Sequence, residues 1–304
     1  MHGGCKNSYP VTMPQQDRPL KAALWMIGAI VSFSTMAIAG RGVAAELDTF
    51  ELMLYRSIIG FGIVLSIASF AGTQGTIRVY AMKLHFARNL SHFAGQNLWF
   101  AAISMIPLAQ VVALEFTLPI WVVLLAPLVL GEALTMRRIT VAIIGFIGAM
   151  IVARPDMANP ETGLIFAAIA AVGFAGSAIF TKLLTRTESV TSILFWLTLM
   201  QAMFGLIMAG WDAQITWPSL AIWPWVVLVA ITGLAAHFCL TTALTMAPAT
   251  IVMPLDFARL PVIALIGMTL YAEALDPWVM LGAAIIFGAN YVNLYIESRQ
   301  APRR

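Results

Sequence analysis

Two carboxylates stand inside long apolar segments of the chain. Glu115 lies in the apolar run 107–131, and Asp256 lies in the run 249–272. An ionised carboxylate in hydrocarbon costs roughly 2.5–3.5 kcal/mol on insertion scales, so such residues are usually paired, protonated or used to bind a ligand. We therefore predict that the two acids face a polar site inside the fold. There they would bind a cationic group or carry a coupling proton.

Three arginines also fall inside apolar segments, namely Arg56, Arg88 and Arg259. Arg259 follows Asp256 by three positions, a spacing that brings two helical side chains together. This pair is either a structural ion pair or part of a binding site. Glu115 is likewise either functional or neutralised by Arg56 or Arg88. The same arginines are candidates for holding an anionic group of a ligand.

A stripe of polar residues follows one face of the third apolar segment. The spacing of three and four residues places its members on the same side of a helix: His85, Arg88, Asn89, His92 and Gln96. A polar stripe cannot face lipid, so we predict that it lines an aqueous cavity together with His237. His92 and His237 are either packing residues or proton carriers. Trp99 and Phe116 are candidates for stacking on a ring of the ligand.

Two prolines interrupt the segments that carry the acids. Pro119 follows Glu115 by four residues, and Pro261 follows Phe257 by four residues. A proline removes its own N–H and clashes with the carbonyl four residues earlier. We therefore predict helix kinks at Pro119 and Pro261 that point towards the same cavity.

The composition shows which elements must position these residues. Of the 304 residues, 61% are apolar and 10% are charged, whereas a soluble domain has about a quarter charged. Apolar runs of about twenty residues are long enough to cross a bilayer as helices. We predict ten such segments, near residues 20–40, 50–71, 84–105, 107–131, 137–154, 161–181, 190–210, 221–246, 249–272 and 277–296.

Positive charge predicts the orientation of these segments. With the N-terminus inside, twelve of the seventeen Lys and Arg residues fall in inner segments and two in outer segments. This bias is typical of cytoplasmic loops. Residues 1–19 and 298–304 are then polar cytoplasmic tails. The net charge of +3 reflects this topology, and no basic stripe with interleaved aromatics indicates binding to nucleic acid.

An internal repeat relates the two halves of the chain. One constant shift along the chain aligns "MIPLAQVVALEFTLPIWVVLLAPLVLGEAL" with "MAPATIVMPLDFARLPVIALIGMTLYAEAL" without a gap, and places Glu115 on Asp256. The same shift, which we call the repeat shift, aligns Gln96 with His237. The chain thus reads as two copies of a five-helix unit, 20–154 and 161–297.

An odd number of helices in each copy reverses the direction in which the second copy enters the membrane. The predicted fold is therefore an all-α integral membrane protein of ten transmembrane helices, arranged as two inverted five-helix repeats. Inverted repeats are a transporter architecture, with the binding site near the midplane between the halves.

These features resemble the EamA type of the drug/metabolite transporter superfamily. The resemblance rests on the ten-helix repeat, "MIPLA" at the turn after the third helix, "GEAL" before "AIIGFIGAMIVARP", and the echoes "APATIV" and "AEAL". It covers about residues 20–297. It implies a secondary transporter of a small organic metabolite that works by alternating access, but it does not assign a role to Glu115.

The resemblance also suggests a substrate class. The region of the third and fourth helices is similar to uptake carriers for vitamins and nucleoside-like compounds, such as riboflavin or S-adenosylmethionine. Export of an amino acid or another metabolite is the alternative, and an intramembrane enzyme or a channel is more remote. We expect a bacterial inner-membrane protein, monomeric or homodimeric, whose partners are a small-molecule substrate, lipid and coupling protons. We expect no cofactor, no metal and no nucleic acid.

Overall fold

The computed structural model describes residues 18–118, 120–122, 124–125, 136–154, 161–211, 214–247, 252 and 255–300. Within them the chain is helical and contains no β-strand. The α-helices are α1 Pro19–Val43, α2 Thr49–Phe70, α3 Met82–Met105, α4 Leu108–Glu115, α5 Met136–Ala153, α6 Thr162–Leu184, α7 Val190–Ala209, α8 Trp223–Met246, α9 Arg259–Tyr271 and α10 Pro277–Gln300. Short 3₁₀ turns occur at Gln74–Thr76 and Asp256–Ala258.

Local sequence signals fix several helix ends. Asp48 accepts a hydrogen bond from the N–H of Glu51, whose side chain accepts one from the N–H of Asp48, so α2 begins with a complete capping box. Helix α7 has a single N-cap bond, in which the Ser189 hydroxyl oxygen accepts a hydrogen bond from the N–H of Ser192. Ala272, with φ of 52°, ends α9 in the left-handed conformation. Each boundary therefore follows from chemistry at the turn itself.

Among the described residues, five helices are long and apolar enough to cross a membrane: Leu20–Val43, Thr49–Phe70, Thr162–Leu184, Val190–Ala209 and Trp223–Met246. Helix α3 is as long, but its polar stripe lowers its mean hydropathy. Large apolar side chains such as Leu24, Ile27 and Val31 are exposed on the outside of the bundle. An exposed apolar surface of this extent is suited to lipid rather than to water.

Helices from opposite halves pack in antiparallel pairs. Gly28 lies against Cys239 and Gly42 against Trp225, so α1 runs opposite to α8. Helices α3 and α6 pack in the same way, with α6 approaching α3 most closely at Gly173. A β-carbon there would lie 2.8 Å from the carbonyl oxygen of Ser91 and from the Cα of Gly95. The two backbones are therefore in contact, which only glycine allows.

Matching cations cap the ends of α3 and α8. Arg41 donates to the carbonyls of Ile103 (2.6 Å) and Ile106 (2.7 Å). Lys182, the repeat counterpart of Arg41, donates to the carbonyls of Leu244 (2.8 Å) and Ala247 (3.4 Å). These carbonyls are also repeat counterparts, because the repeat shift places Ile103 on Leu244 and Ile106 on Ala247. Each half thus closes its third helix with a cation from its first.

Arg41 has a further partner from the other half of the chain. Its guanidinium pairs with Glu273 and lies 4.6 Å above the ring of Tyr271. Glu273 also accepts a hydrogen bond from the N–H of Leu108 at 3.1 Å, which satisfies the first residue of α4. Glu132, the repeat counterpart of Glu273, lies outside the described residues.

We expect Arg41→Gln to destabilise the purified protein by about 3 kcal/mol, the usual range for breaking a partly buried ion pair that also holds carbonyls. Arg154 and Asp276 form the matched control, because their ion pair is exposed to solvent. Arg154→Gln should change stability by about 1 kcal/mol at most. Thermal unfolding in one detergent tests both variants. Equal shifts of the two melting temperatures would contradict the assigned role of Arg41.

The two acid-bearing segments lose helical regularity at the acids themselves. Helix α4 ends at Glu115, and Phe116 and Thr117 form a turn. Asp256 begins the 3₁₀ turn that precedes α9. Pro261 lies in the first turn of α9, where its missing N–H needs no helical partner, so it begins this helix rather than kinking its interior. The predicted kink at Pro119 lies outside the described residues.

Candidate functional site

Arg259 joins the two buried carboxylates. Its Nη2 donates hydrogen bonds to Glu115 Oε1 at 2.5 Å and to Asp256 Oδ2 at 2.7 Å. The Arg259 side chain is 1% exposed, whereas those of Glu115 and Asp256 are 13% and 19% exposed. Two carboxylates share one guanidinium, so the cluster carries one negative charge in excess when both acids are ionised. The three residues connect the end of α4 to the start of α9.

Aromatic side chains enclose this cluster. Trp99 donates its indole N–H to Glu115 Oε2 at 2.9 Å, which holds the second carboxylate oxygen. The Arg259 guanidinium lies 5.2 Å from the ring centre of Phe33 and 5.8 Å from that of Phe116. Cation–π contacts of this kind are stronger away from water. The rings therefore fix the position of Arg259 and exclude water from its faces.

His92 and His237 form a second buried group. Their ring centres are 4.6 Å apart and their planes are nearly perpendicular. Phe174 packs against His92, and Phe33 packs against His237. Within the described residues, the Nε2 atom of each histidine is buried and has no hydrogen-bond partner. A buried polar atom without a partner is costly, so a ligand or water that bonds to it would be stabilising.

One cavity contains most of the predicted site. The predicted residues that line it are Arg88, His92, Gln96, Trp99, Glu115, His237, Asp256 and Arg259. Arg56 lines a smaller neighbouring cavity, and His237 borders both cavities. Phe116 is buried behind Arg259 and contacts it without lining either cavity. The sequence-predicted residues are therefore brought together, although they come from helices far apart in the chain.

The ion pairing differs from one of the predicted alternatives. Glu115 pairs with Arg259 and with neither Arg56 nor Arg88. Glu115 and Arg259 lie 144 residues apart, so sequence spacing alone could not indicate this contact. Asp256 does pair with Arg259, as the three-residue spacing suggested.

Some lining residues were absent from the predicted site. Phe33 and Phe174 line the cavity, and Ser177 and Thr181 extend its wall along α6. The repeat could have indicated the two phenylalanines, because the repeat shift places one on the other. Ser177 and Thr181 give no such signal. Among the described residues, no three His, Cys, Asp or Glu side chains are grouped so as to hold a metal ion.

A bundle of apolar helices around a charged cavity is typical of one class of protein, the membrane transporters. The chain belongs to the EamA-like transporter family, whose model matches residues 20–154 and 161–295. It is a multi-pass membrane transporter made of two EamA units, and a transporter of this class has a small-molecule substrate.

The named relatives align with nearly the whole chain. A riboflavin transporter of Brucella anthropi is 31% identical over 272 residues, which are 87% of this chain and 95% of the relative. An S-adenosylmethionine uptake transporter of Rickettsia bellii is 25% identical over 92% of this chain and 95% of the relative. A solved crystal structure, 20% identical, matches with a TM-score of 0.65 over 92% of this chain and 98% of that one. That likeness supports the fold alone.

Proposed function

We propose that this protein is a secondary transporter that takes up a heteroaromatic or nucleoside-like compound across the bacterial inner membrane. The observation that carries the proposal is the cavity between the halves, which is lined by acids from equivalent positions of the two repeats, Glu115 and Asp256. Relatives named for riboflavin and for S-adenosylmethionine give the substrate class. Phe33, Phe174 and Trp99 supply aromatic walls for a ring system.

We infer that the chain crosses the membrane ten times, with units 20–154 and 161–297 inserted in opposite directions. The repeat shift places α1 on α6 and α3 on α8. The antiparallel pair of α1 and α8 is therefore equivalent to the antiparallel pair of α6 and α3, and this equivalence supports the arrangement. The excess of inner Lys and Arg supports a cytoplasmic position for the tails 1–19 and 298–304. Alternating access would then be a movement of one half against the other.

The ion cluster is proposed to bind a cationic group of the substrate or to carry a coupling proton. Asp256 Oδ1 is buried and has no hydrogen-bond partner among the described residues, so one carboxylate oxygen is available to a ligand. A catalytic role is disfavoured because Ser91 packs against Gly176 of α6, whereas the adjacent His92 faces the cavity. The protein is therefore proposed to be a carrier and not an enzyme, as a monomer or a homodimer.

Uptake into proteoliposomes tests this function. Labelled riboflavin and labelled S-adenosylmethionine should be supplied outside, with empty liposomes and Ser66→Ala protein as controls, since the Ser66 hydroxyl bonds only to a carbonyl on the exposed face of α2. We expect saturable uptake of at least one compound, together with exchange against unlabelled compound inside. Currents that do not saturate would indicate a channel. Movement of neither compound, with export of an amino acid instead, would overturn the proposed uptake function.

A further inference from the structure

Two buried arginines near the central cavity have no carboxylate partner among the residues that the structure describes. Arg56 and Arg88 are 7% and 2% exposed, and within the described part of the chain neither forms an ion pair. Arg259, which is equally buried, has two carboxylates. Burying a guanidinium in a membrane protein without a counter-charge is expensive. Such arginines are therefore positioned to bind an anion.

The polar contacts of Arg88 hold it in place without neutralising it. Its Nε donates to Thr181 Oγ1 at 3.2 Å, and its Nη1 donates to Asn89 Oδ1 at 2.9 Å. Both acceptors are uncharged. No hydrogen bond occupies its Nη2 within the described residues, and the side chain lines the central cavity. Arg88 thus presents a fixed donor and a full positive charge to a ligand.

Arg56 has still weaker partners. Its Nη1 lies 3.8 Å from Met53 Sδ and 4.0 Å from Met36 Sδ, and its guanidinium lies 5.8 Å from the ring centre of Phe100. Thioether sulfur is a poor acceptor. The Arg56 side chain lines the smaller cavity together with Gln201, whose Oε1 is buried and has no hydrogen-bond partner among the described residues.

The histidine pair connects the two arginines. His237 borders both cavities, and His92 borders the one that contains Arg88. The ring centre of His92 lies 4.6 Å from that of His237, so the two histidines bridge the cavity that contains Arg88 and the one that contains Arg56. The four side chains therefore form one positively charged region, which we call the arginine–histidine pocket. Within the described residues the Nε2 atoms of both histidines have no hydrogen-bond partner, and they add two hydrogen-bonding groups to this pocket.

The charges that line the two cavities do not balance. Arg56, Arg88 and Arg259 face two carboxylates, Glu115 and Asp256, among the described lining residues. Because Arg259 is occupied by both acids, the unbalanced positive charge lies in the arginine–histidine pocket. The end of the cavities at Asp256 is thus negative, and the end at the arginine–histidine pocket is positive.

We propose that the arginine–histidine pocket binds an oxyanion, carboxylate or phosphate, of the transported compound. This inference rests on the proposed transport function and narrows its substrate class. Guanidinium groups bind both oxyanions through charge-assisted hydrogen bonds. A substrate with a cationic and an anionic group would satisfy both ends of the cavity. S-Adenosylmethionine has this charge pattern, whereas riboflavin has no oxyanion and its phosphate ester does.

Two matched pairs of probes test the inference on the wild-type protein in nanodiscs. S-Adenosylmethionine is compared with its decarboxylated form, and riboflavin 5′-phosphate with riboflavin. In at least one pair we expect the oxyanion-bearing member to bind at least tenfold more tightly. The pair that shows the preference distinguishes carboxylate from phosphate. Equal affinities within both pairs would overturn the inference while leaving the transport function standing.

Variants then assign the preference to the arginines. Arg88→Gln and Arg56→Gln should each reduce the preference at least fivefold by weakening only the oxyanion-bearing probe. Arg88→Lys should retain part of it, because the charge remains. Arg154→Gln, outside both cavities and in an exposed ion pair, is the control and should keep the full preference. If the variants weaken both members of a pair equally, the arginines are structural and the inference is wrong. Failure of the proposed function itself would instead appear as no binding of any probe.

Discussion

Replacing Arg259 with methionine is expected to abolish uptake and to destabilise the protein by about 3–5 kcal/mol, as when one partner of a buried ion pair is removed. Glu115 and Asp256 would then be left facing each other without the cation that both now contact. Methionine keeps much of the side-chain volume, so the effect reports charge rather than packing. Transport in proteoliposomes and thermal unfolding measure the two losses.

Compensating variants show whether the stability lost in Arg259→Met comes from repulsion between the two acids or from a general loss of structure. Glu115→Gln removes one carboxylate and leaves Arg259 paired with Asp256, so it should unfold at a temperature near that of the wild type. The double variant Arg259→Met/Glu115→Gln should recover part of the stability lost in Arg259→Met, because only one buried charge remains. If the double variant is no more stable than Arg259→Met, electrostatic repulsion between the acids is not the cause of the loss.

Replacing Gly173 with leucine is the second change with a large expected effect. A side chain there would enter the backbone of α3, where even a β-carbon would lie 2.9 Å from the amide nitrogen of Gly95. Backbone cannot rotate away as a side chain can, so α3 and α6 would have to separate. Because both helices line the cavity, we expect the yield of monodisperse protein to fall at least tenfold, with no transport.

Gly62 provides the control for this substitution. It lies in α2, also a predicted membrane helix, and nothing lies within 4 Å of a β-carbon built on it. Gly62→Leu should therefore be expressed and unfold like the wild type. Size-exclusion profiles of the two variants give the comparison. A monodisperse, active Gly173→Leu protein would show that the helices do not need this close approach.

The acids and the polar stripe of α3 could be predicted from the sequence, because charge inside an apolar run is costly wherever the helix packs. The repeat then placed Glu115 and Asp256 in equivalent positions, and the structure brings both to one cavity. Most of the described helices also lie close to the predicted apolar runs, since bilayer thickness limits the length of each segment, whereas α4 and α9 cover only part of theirs.

The pairing within the site could not be predicted in the same way. Which cation meets Glu115 depends on how α4 and α9 pack across the two halves, and this is decided by side chains all along their interface. Arg259 has no repeat counterpart, because the equivalent position holds Leu118. The gap-free repeat therefore predicted the symmetric acids but gave no information about their asymmetric cation.

Backbone chemistry explains the difference at Pro261. A proline within an apolar run predicts a kink, but a proline near a helix start is tolerated because the first N–H groups have no helical partner. The sequence does not show which case applies until the 3₁₀ turn Asp256–Ala258 is known. Asp256 therefore lies at the start of a 3₁₀ turn rather than on a regular helical face.

The Arg41 cap on α3 also forms a contact between the two halves that the proposed transport cycle would break and re-form. Arg41 holds the carbonyls of Ile103 and Ile106 within its own half, and it reaches Glu273 in the other half. When the halves move apart in the proposed transport cycle, Arg41 would give up Glu273 and the ring of Tyr271 and keep both carbonyls. The free energy of release would therefore be limited to these two contacts, and the guanidinium would already be oriented when the halves meet again.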